Sequence, residues 1–126
     1  MKARDFFEQI GTRGFYRPVG HVTFEQGTDM VAEAMVLARE SNCVDLLVSV
    51  HGLTGVQPPS VFARYDLAVK WARSAGSKLR VALVAPPELI DPEKIGVLMA
   101  QNRGVTGDVF TREAAAIAWL DARQRV

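Results

Sequence analysis

Residues 43–50 read CVDLLVSV, and residues 79–85 read LRVALVA. Both runs are short, apolar and rich in β-branched side chains, which is typical of buried strands rather than helices. Longer segments with the period of an amphipathic helix lie between and after them. Because strands that alternate with helices form a mainly parallel sheet with right-handed crossovers, the two runs predict an α/β fold.

Working outward from these strands, the pattern predicts the order β-β-α-β-α-β-α-β-α in a single domain over residues 1–126. The remaining strands are expected at residues 4–9, 14–20 and 105–110. Pro18 has no N–H group, so the second strand is expected to lie at a sheet edge or to end there.

Capping signals and apolar stripes predict four helices. The first helix is predicted to start at Thr23, with Gln26 as its capping-box partner, and the second at Ser60 or Pro59. The third is predicted to start at Asp91, which Pro92 follows, and the fourth at Thr111. The first three helices are predicted to end at Ser41, Gly76 and Gly104. The predicted buried stripes are Phe24, Val31, Ala34, Met35 and Ala38; Phe62, Tyr65, Ala68, Val69 and Ala72; Ile95, Leu98, Met99 and Asn102; and Ala114, Ile117, Ala118 and Leu120.

Composition narrows the class of protein. The chain has 15 Lys and Arg against 14 Asp and Glu, and this balance gives no field that would attract nucleic acid. Cys43 is the one cysteine, so no internal disulfide forms and a reducing, cytoplasmic location is expected. The first ten residues contain charges rather than a signal-peptide core. The longest apolar run, residues 114–120, is far shorter than the roughly 20 residues of a membrane span.

Functional groups of an open α/β sheet gather beyond the carboxyl ends of its strands, which here are the loops 51–60, 86–91 and 111–113. The first loop offers His51, Thr54 and Ser60 as candidates to bind a ligand or, for the two hydroxyls, to accept a phosphoryl group. His51 is a candidate general base, with a structural role at the strand end as its alternative.

No catalytic constellation, metal site or cofactor site is predicted. Asp45 is expected to point away from the first loop, and no Gly-x-Ser-x-Gly elbow occurs. The histidines and Cys43 are not at metal-ligand spacing. Neither the dinucleotide-binding motif Gly-x-Gly-x-x-Gly nor the nucleotide-binding motif Gly-x4-Gly-Lys-Ser/Thr is present.

Arg64 and Arg73 lie on a basic second helix, which is either a solvated face or a surface for a protein partner. Trp71 and Trp119 fall outside the predicted stripes, so each either anchors an interface or covers the edge of the core. A homodimer through the first, edge strand or through either tryptophan stays open.

Several stretches resemble landmarks of the bacterial SpoIIAA-like family. They are Leu53-Thr54-Gly55, Pro58-Pro59-Ser60, Ala82-Leu83-Val84-Ala85 with Pro87, Asp91-Pro92-Glu93-Lys94, Asn102-Arg103-Gly104, Val109-Phe110-Thr111, Glu113-Ala114 and Ala118-Trp119-Leu120. The resemblance spans about residues 14–121 and implies a STAS-type fold, shared with anti-sigma-factor antagonists and with lipid-binding CRAL-TRIO domains. Such antagonists carry a phosphorylatable serine in an Asp-Ser-Gly-type motif, and that motif is missing from residues 51–60.

Three functions are therefore weighed. The leading one is a non-enzymatic regulatory module that binds another protein through residues 51–60 and the second helix, with phosphorylation of Ser60 or Thr54 as a switch. The alternative is a carrier of a small apolar molecule. Its expected walls are Phe62, Tyr65, Ile95 and Met99, and its expected headgroup contacts are His51, Thr54 and Ser60. The third is a small hydrolase with His51 as base.

Overall fold

A mixed, mostly parallel sheet forms the centre of the protein. The computed structural model describes residues 3–91 and 93–123. The strands are β1 (Phe7–Ile10), β2 (Arg13–Tyr16), β3 (Gly20–His21), β4 (Asp45–Ser49), β5 (Leu53–Thr54), β6 (Arg80–Val84) and β7 (Thr106–Phe110). Five of them form the main sheet in the order β1-β2-β4-β6-β7, in which only the β1–β2 pair is antiparallel. The predicted α/β class is confirmed.

Helices cover both faces of this sheet unequally. They are α1 (Phe24–Glu40), α2 (Val61–Ala75), α3 (Ile95–Gln101) and α4 (Glu113–Arg123). Leu46 and Val48 of β4 pack into the cluster formed with α1 and α2. Leu47, between them, points to the opposite face, where it packs with Ala116 and Leu120 of α4. This alternation explains why all five β4 residues are buried and why the central runs are continuously apolar.

The predicted caps of the first two helices are confirmed. The Thr23 hydroxyl accepts from the Gln26 N–H at 3.1 Å, and the Gln26 side chain accepts from the Thr23 N–H at 2.9 Å. The Ser60 hydroxyl accepts from the Ala63 N–H at 3.1 Å, and Gly76 ends α2 with a φ of 68°. These contacts are local along the chain, which is why sequence patterns predict them well.

The amino-terminal strands differ from the prediction. Residues 3–6 form a 3₁₀ turn rather than strand, and β2 ends at Tyr16, before Pro18. Beyond the proline, β3 pairs with β5 in a separate parallel ladder that the sequence analysis did not predict. Two-residue strands bury too few side chains to leave a periodic signal.

The predicted buried face of α2 is confirmed at Ala68, which is fully buried, but is wrong at its two aromatic residues. Phe62 is 85% exposed and Tyr65 is 46% exposed, whereas Leu67 and Trp71 turn toward the sheet. Tyr65 instead accepts a hydrogen bond of 2.7 Å from the Arg103 guanidinium, which also lies over its ring. Tyr65 therefore joins the beginning of α2 to the end of α3 rather than filling the core.

The third and fourth helices also begin later than predicted. Asp91 caps the turn before α3, and Lys94 occupies the N-cap position with a left-handed backbone, φ 53°. Pro92, predicted at the first helical position, lies outside the described residues. In α4 the helix begins at Glu113, and Trp119, predicted off the stripe, packs on the α4 cluster beside Phe110.

Tyr16 is a fully buried side chain whose hydroxyl has no hydrogen-bond partner among the described residues. Burial, followed by the negative charges of Glu33 and Asp5, raises the pKa of this phenol to about 12. An unpartnered buried hydroxyl is unfavourable, and its ionised form is more unfavourable still.

We expect alkaline pH to destabilise the protein through Tyr16. Below pH 10 the phenol is neutral in the folded and in the unfolded protein, so the free energy of unfolding does not change with pH on its account. Between about pH 10 and 12 the unfolded chain ionises first, and the free energy of unfolding falls by up to about 2–3 kcal/mol. In urea titrations at several pH values, Tyr16→Phe should lack this alkaline decrease in the free energy of unfolding, and it should be no less stable than the parent chain at pH 7. An unchanged alkaline profile in the variant would contradict the assignment.

Candidate functional site

Two adjoining apolar cavities lie between the sheet and its helices. The α1 lobe, about 90 Å³, is lined by α1 and by the segments that follow β4 and β6, including Val50 and Ala85. The α3 lobe, about 120 Å³, continues along β6 and β7 beneath α3, as far as Val105. The α1 lobe thus lies at the carboxyl edge of the sheet, where ligands of open α/β folds bind.

Five described side chains line both lobes and make them neighbours within one space. They are Leu67 and Trp71 of α2, Leu83 of β6, Ile90 of the following loop, and Val109 of β7. Together the two lobes form what we call the α2–α3 cavity. Because these five side chains alone come from four separate segments of the chain, the cavity depends on how the helices pack on the sheet.

Polar groups of the α1 lobe are already satisfied within the protein. Thr28 is the polar side chain among the described lining residues, and its hydroxyl donates to the Phe24 carbonyl at 2.8 Å. The indole N–H of Trp71 donates to the Thr28 carbonyl at 3.1 Å. A ligand in this lobe would therefore meet mainly apolar surface, to which water cannot form good hydrogen bonds.

Charged residues line the α3 lobe at one side. Asp91, Lys94 and Asp108 contribute to its wall, next to Val97 and Ala100. The Lys94 ammonium donates to the Asp108 carboxylate at 3.0 Å. These residues contribute mainly their carbon atoms to the wall, so the surface of this lobe is almost entirely apolar.

His51 has the structural contact that was its alternative role. Its Nε2 lies 3.1 Å from the carbonyl oxygen of Thr111 and donates to it, which ties the end of β4 to the start of α4. Asp45 lies at the opposite, amino end of β4, as expected, and is paired there with Arg13. The structure does not bring these groups together as a catalytic set.

Thr54 and Ser60 serve separate local structures. The Thr54 hydroxyl meets Nδ1 of His21 at 3.1 Å, across the short β3–β5 ladder. Ser60 is exposed and caps α2. Neither residue, nor His51, lines the α2–α3 cavity.

We expect His51→Ala to cost about 1 kcal/mol of stability or less, because it removes one exposed hydrogen bond. Thermal denaturation of the variant beside the parent chain measures this difference. A loss of several kcal/mol would show that His51 does more than join the two loops.

An ion pair lies near the same loops. Arg17 donates two hydrogen bonds of 2.9 Å to the Glu113 carboxylate, and this contact lowers the pKa of Glu113. Within the described part of the chain, no group of three or more His, Cys, Asp and Glu is placed to hold a metal ion. Likewise, no described helix is both long and apolar enough to cross a bilayer.

Of the three residues that were predicted to contact a protein partner, one is exposed and two are partly buried. Trp71 is partly buried, packs against the core and lines the cavity, which agrees with its alternative role of covering the edge of the core. Arg64 is half-buried, and its guanidinium donates to the Leu89 carbonyl at 3.4 Å. Arg73 is exposed on α2.

The predicted apolar pocket walls, Phe62, Tyr65, Ile95 and Met99, do not line the cavity. Leu67 and Trp71 were missed, although a stripe through positions 64, 67, 68, 71 and 75 also has helical spacing. Choosing that stripe requires preferring leucine and tryptophan over phenylalanine and tyrosine as core residues, which hydropathy alone does not do.

Comparisons with known proteins indicate no function for this chain. The chain matches no protein-family model, no curated protein sequence and no solved structure. The α2–α3 cavity is accordingly the feature from which a function is argued.

Proposed function

We propose that this protein is a non-catalytic binding domain that holds a small, mainly apolar molecule in the α2–α3 cavity. The observation that carries the proposal is the cavity itself, whose two lobes of about 90 and 120 Å³ share five lining side chains, all of them apolar or aromatic. Binding sites for small molecules are concave, mostly apolar and limited to a few polar groups. The cavity has this composition.

The size of the cavity sets the size of the ligand. A protein cavity of about 150 Å³ lined by aliphatic and aromatic side chains stays dry and binds benzene. Each lobe alone is smaller than that cavity, but the two together exceed it, so by that standard they suit a single ring or one chain of about eight carbons that spans both lobes.

A STAS-type fold is part of the same proposal. Its support is the resemblance of residues 14–121 to SpoIIAA-like proteins, together with a mostly parallel sheet and four helices in the expected order. The kinship of that fold with lipid-binding CRAL-TRIO domains agrees with an apolar ligand. A cytoplasmic location also remains a prediction, supported by the buried free thiol of Cys43.

Fluorescence of Trp71 tests the proposal directly. In a Trp119→Phe background Trp71 is the one remaining tryptophan, and it lines both lobes. Titration with octan-1-ol should change its emission with saturation. Val109→Phe, which fills the junction of the lobes, should weaken binding at least about tenfold, with Leu83→Phe as a second filling variant. Ile10→Phe adds the same ring on an exposed edge strand and should change nothing.

No saturable change with octan-1-ol, or equal binding by the filled variants and the parent chain, would refute the proposed function. Circular dichroism of each variant establishes that its fold is intact before binding is compared.

The second candidate is a protein-interaction module, and one observation favours it. Val61 and Phe62 are 56% and 85% exposed directly after the Ser60 cap. A large exposed aromatic side chain is a common anchor of protein interfaces. A phosphoryl group on Ser60 would lie at the start of the 15-residue helix α2, where negative charge is favoured.

Pull-down from the host separates this candidate from ligand binding. A partner bound through this surface should be lost with Phe62→Ser and retained with Val44→Ser, which alters a side chain that is 39% exposed outside this segment. A regulatory role of Ser60 further requires Ser60→Asp to change partner binding. Equal recovery with all variants would rule the surface out.

A further inference from the structure

Helix α3 covers the α3 lobe without being anchored in the core. None of its seven residues is fully buried, whereas each of the other three helices has at least two buried residues. A helix of this length has little stability of its own, because isolated helices shorter than about 12–15 residues are marginal in water. We propose that α3 is a lid that opens to admit the ligand of the α2–α3 cavity, an inference that rests on the proposed function.

The side of α3 that faces the sheet lies over empty space. Gly96, Val97 and Ala100 line the α3 lobe, whose volume is about 120 Å³. Atoms that face a void have no packing partners on that side and lose the dispersion attraction that holds a packed helix in place. A ligand in the lobe would supply those contacts, so α3 is held closed more firmly when the cavity is filled.

Polar contacts at the protein surface hold α3 closed at both ends. Before the helix, the Lys94 ammonium donates to the Asp108 carboxylate of β7 at 3.0 Å, and these side chains are 44% and 27% exposed. At the other end Gln101 donates to a β7 carbonyl at 3.0 Å, and Arg103 donates to the Tyr65 hydroxyl of α2. Exposed contacts of this kind contribute little free energy each, so thermal motion can release them.

The backbone on each side of α3 is suited to act as a hinge. Lys94 has a left-handed backbone, φ 53°, which a residue with a side chain rarely adopts, so a change to the right-handed region on opening relieves strain. Gly104 has φ 92°, and no atom lies within 4 Å of the place where its Cβ would be. Rotation at these two positions moves α3 while β6 and β7 stay in the sheet.

Loss of the Lys94–Asp108 contact should speed ligand exchange while leaving affinity nearly unchanged, because the open lid is favoured equally with and without ligand. Rapid mixing of octan-1-ol with the Trp119→Phe protein gives both rates through Trp71 fluorescence. Lys94→Met keeps the aliphatic part of the side chain and should raise association and dissociation about two- to fivefold, with the dissociation constant within about twofold.

Lys70→Met is the matched control for this variant. Lys70 also forms an exposed ion pair, with Asp29, but that pair joins α2 to α1 and does not involve α3. The control should change neither rate.

A disulfide between α2 and α3 should keep the lid closed. A Cβ at position 96 would lie 3.9 Å from the Cβ of Arg64, within the range of disulfide-bonded cysteines. The pair Arg64→Cys and Gly96→Cys is made in the Trp119→Phe background with Cys43→Ala, which removes the one natural thiol. The oxidised form should bind and release octan-1-ol at least about tenfold more slowly than the same protein after reduction.

Hydrogen exchange without ligand reports the opening itself. The amides of α3 should exchange faster in the reduced form than in the oxidised form, and equal exchange would refute the lid. Equal octan-1-ol rates in the two forms, or unchanged rates in Lys94→Met, would also refute it and leave the proposed function standing. If octan-1-ol does not bind the parent chain, the proposed function fails and the inference fails with it.

Discussion

Replacement of Asp45 by alanine is expected to lower the free energy of unfolding by about 3–5 kcal/mol. Asp45 is completely buried at the amino end of β4. Its two carboxylate oxygens accept from the Arg13 guanidinium at 2.9 and 3.3 Å, and Arg80 approaches to 4.0 Å. The Arg13 side chain is only 13% exposed, so loss of the carboxylate leaves positive charge in a poorly solvated place.

Asp121→Ala is the control for this prediction. Asp121 pairs with the same guanidinium at 2.9 Å, but its side chain is 55% exposed. Water replaces such a contact at little cost, so the expected loss is below about 1 kcal/mol. Urea denaturation at pH 7 measures both variants, and equal losses would contradict the assignment of Asp45 as the buried member of the network.

The second large effect is expected at Leu47, on the face of the sheet that α4 covers. Leu47→Ala should cost about 3–5 kcal/mol, because the side chain is fully buried among Ala82, Ala116 and Leu120, with no cavity of the described residues beside it. Neighbouring side chains cannot collapse fully into the space that the substitution leaves.

Leu83→Ala makes the same chemical change on the opposite face, on the neighbouring strand. Leu83 already faces empty space in both lobes of the α2–α3 cavity, so it has fewer packing contacts to lose. Its substitution should cost no more than about half as much as that of Leu47. Denaturant titrations of the pair measure the packing of the two faces, and a larger loss at Leu83 would contradict the presence of the cavity.

Sequence analysis predicted the strands of the sheet centre and the caps of α1 and α2 because their signals are local. Apolar residues at 46–48 and 81–84 predict buried strands, and Thr23 with Gln26 predicts a helix start. The buried face of α2 was harder to predict, since one stripe with helical spacing contains phenylalanine and tyrosine and another contains the leucine and tryptophan that face inward. Choosing between two stripes requires knowing what lies beneath the helix.

The candidate site was beyond local patterns. The α2–α3 cavity is a space left between side chains of α1, α2, α3 and the sheet, and no single segment of sequence encodes it. The left-handed backbone of Lys94 follows from the turn that Asp91 caps. Polar residues of the 51–60 loop were predicted instead, because hydroxyl and imidazole groups after a strand are a recognisable signal. In the structure they form separate local contacts with Thr111, with His21 and with the first turn of α2.

The most direct test of the account is methyl NMR during titration with octan-1-ol. We predict saturable chemical-shift changes at the methyl groups of Leu67, Leu83 and Val109, which line both lobes. Leu47 and Leu120, on the α4 face, should remain unchanged. Shifts confined to the exposed Val61 and Leu98, or no saturable shifts, would contradict the claim that this chain binds an apolar ligand inside the α2–α3 cavity.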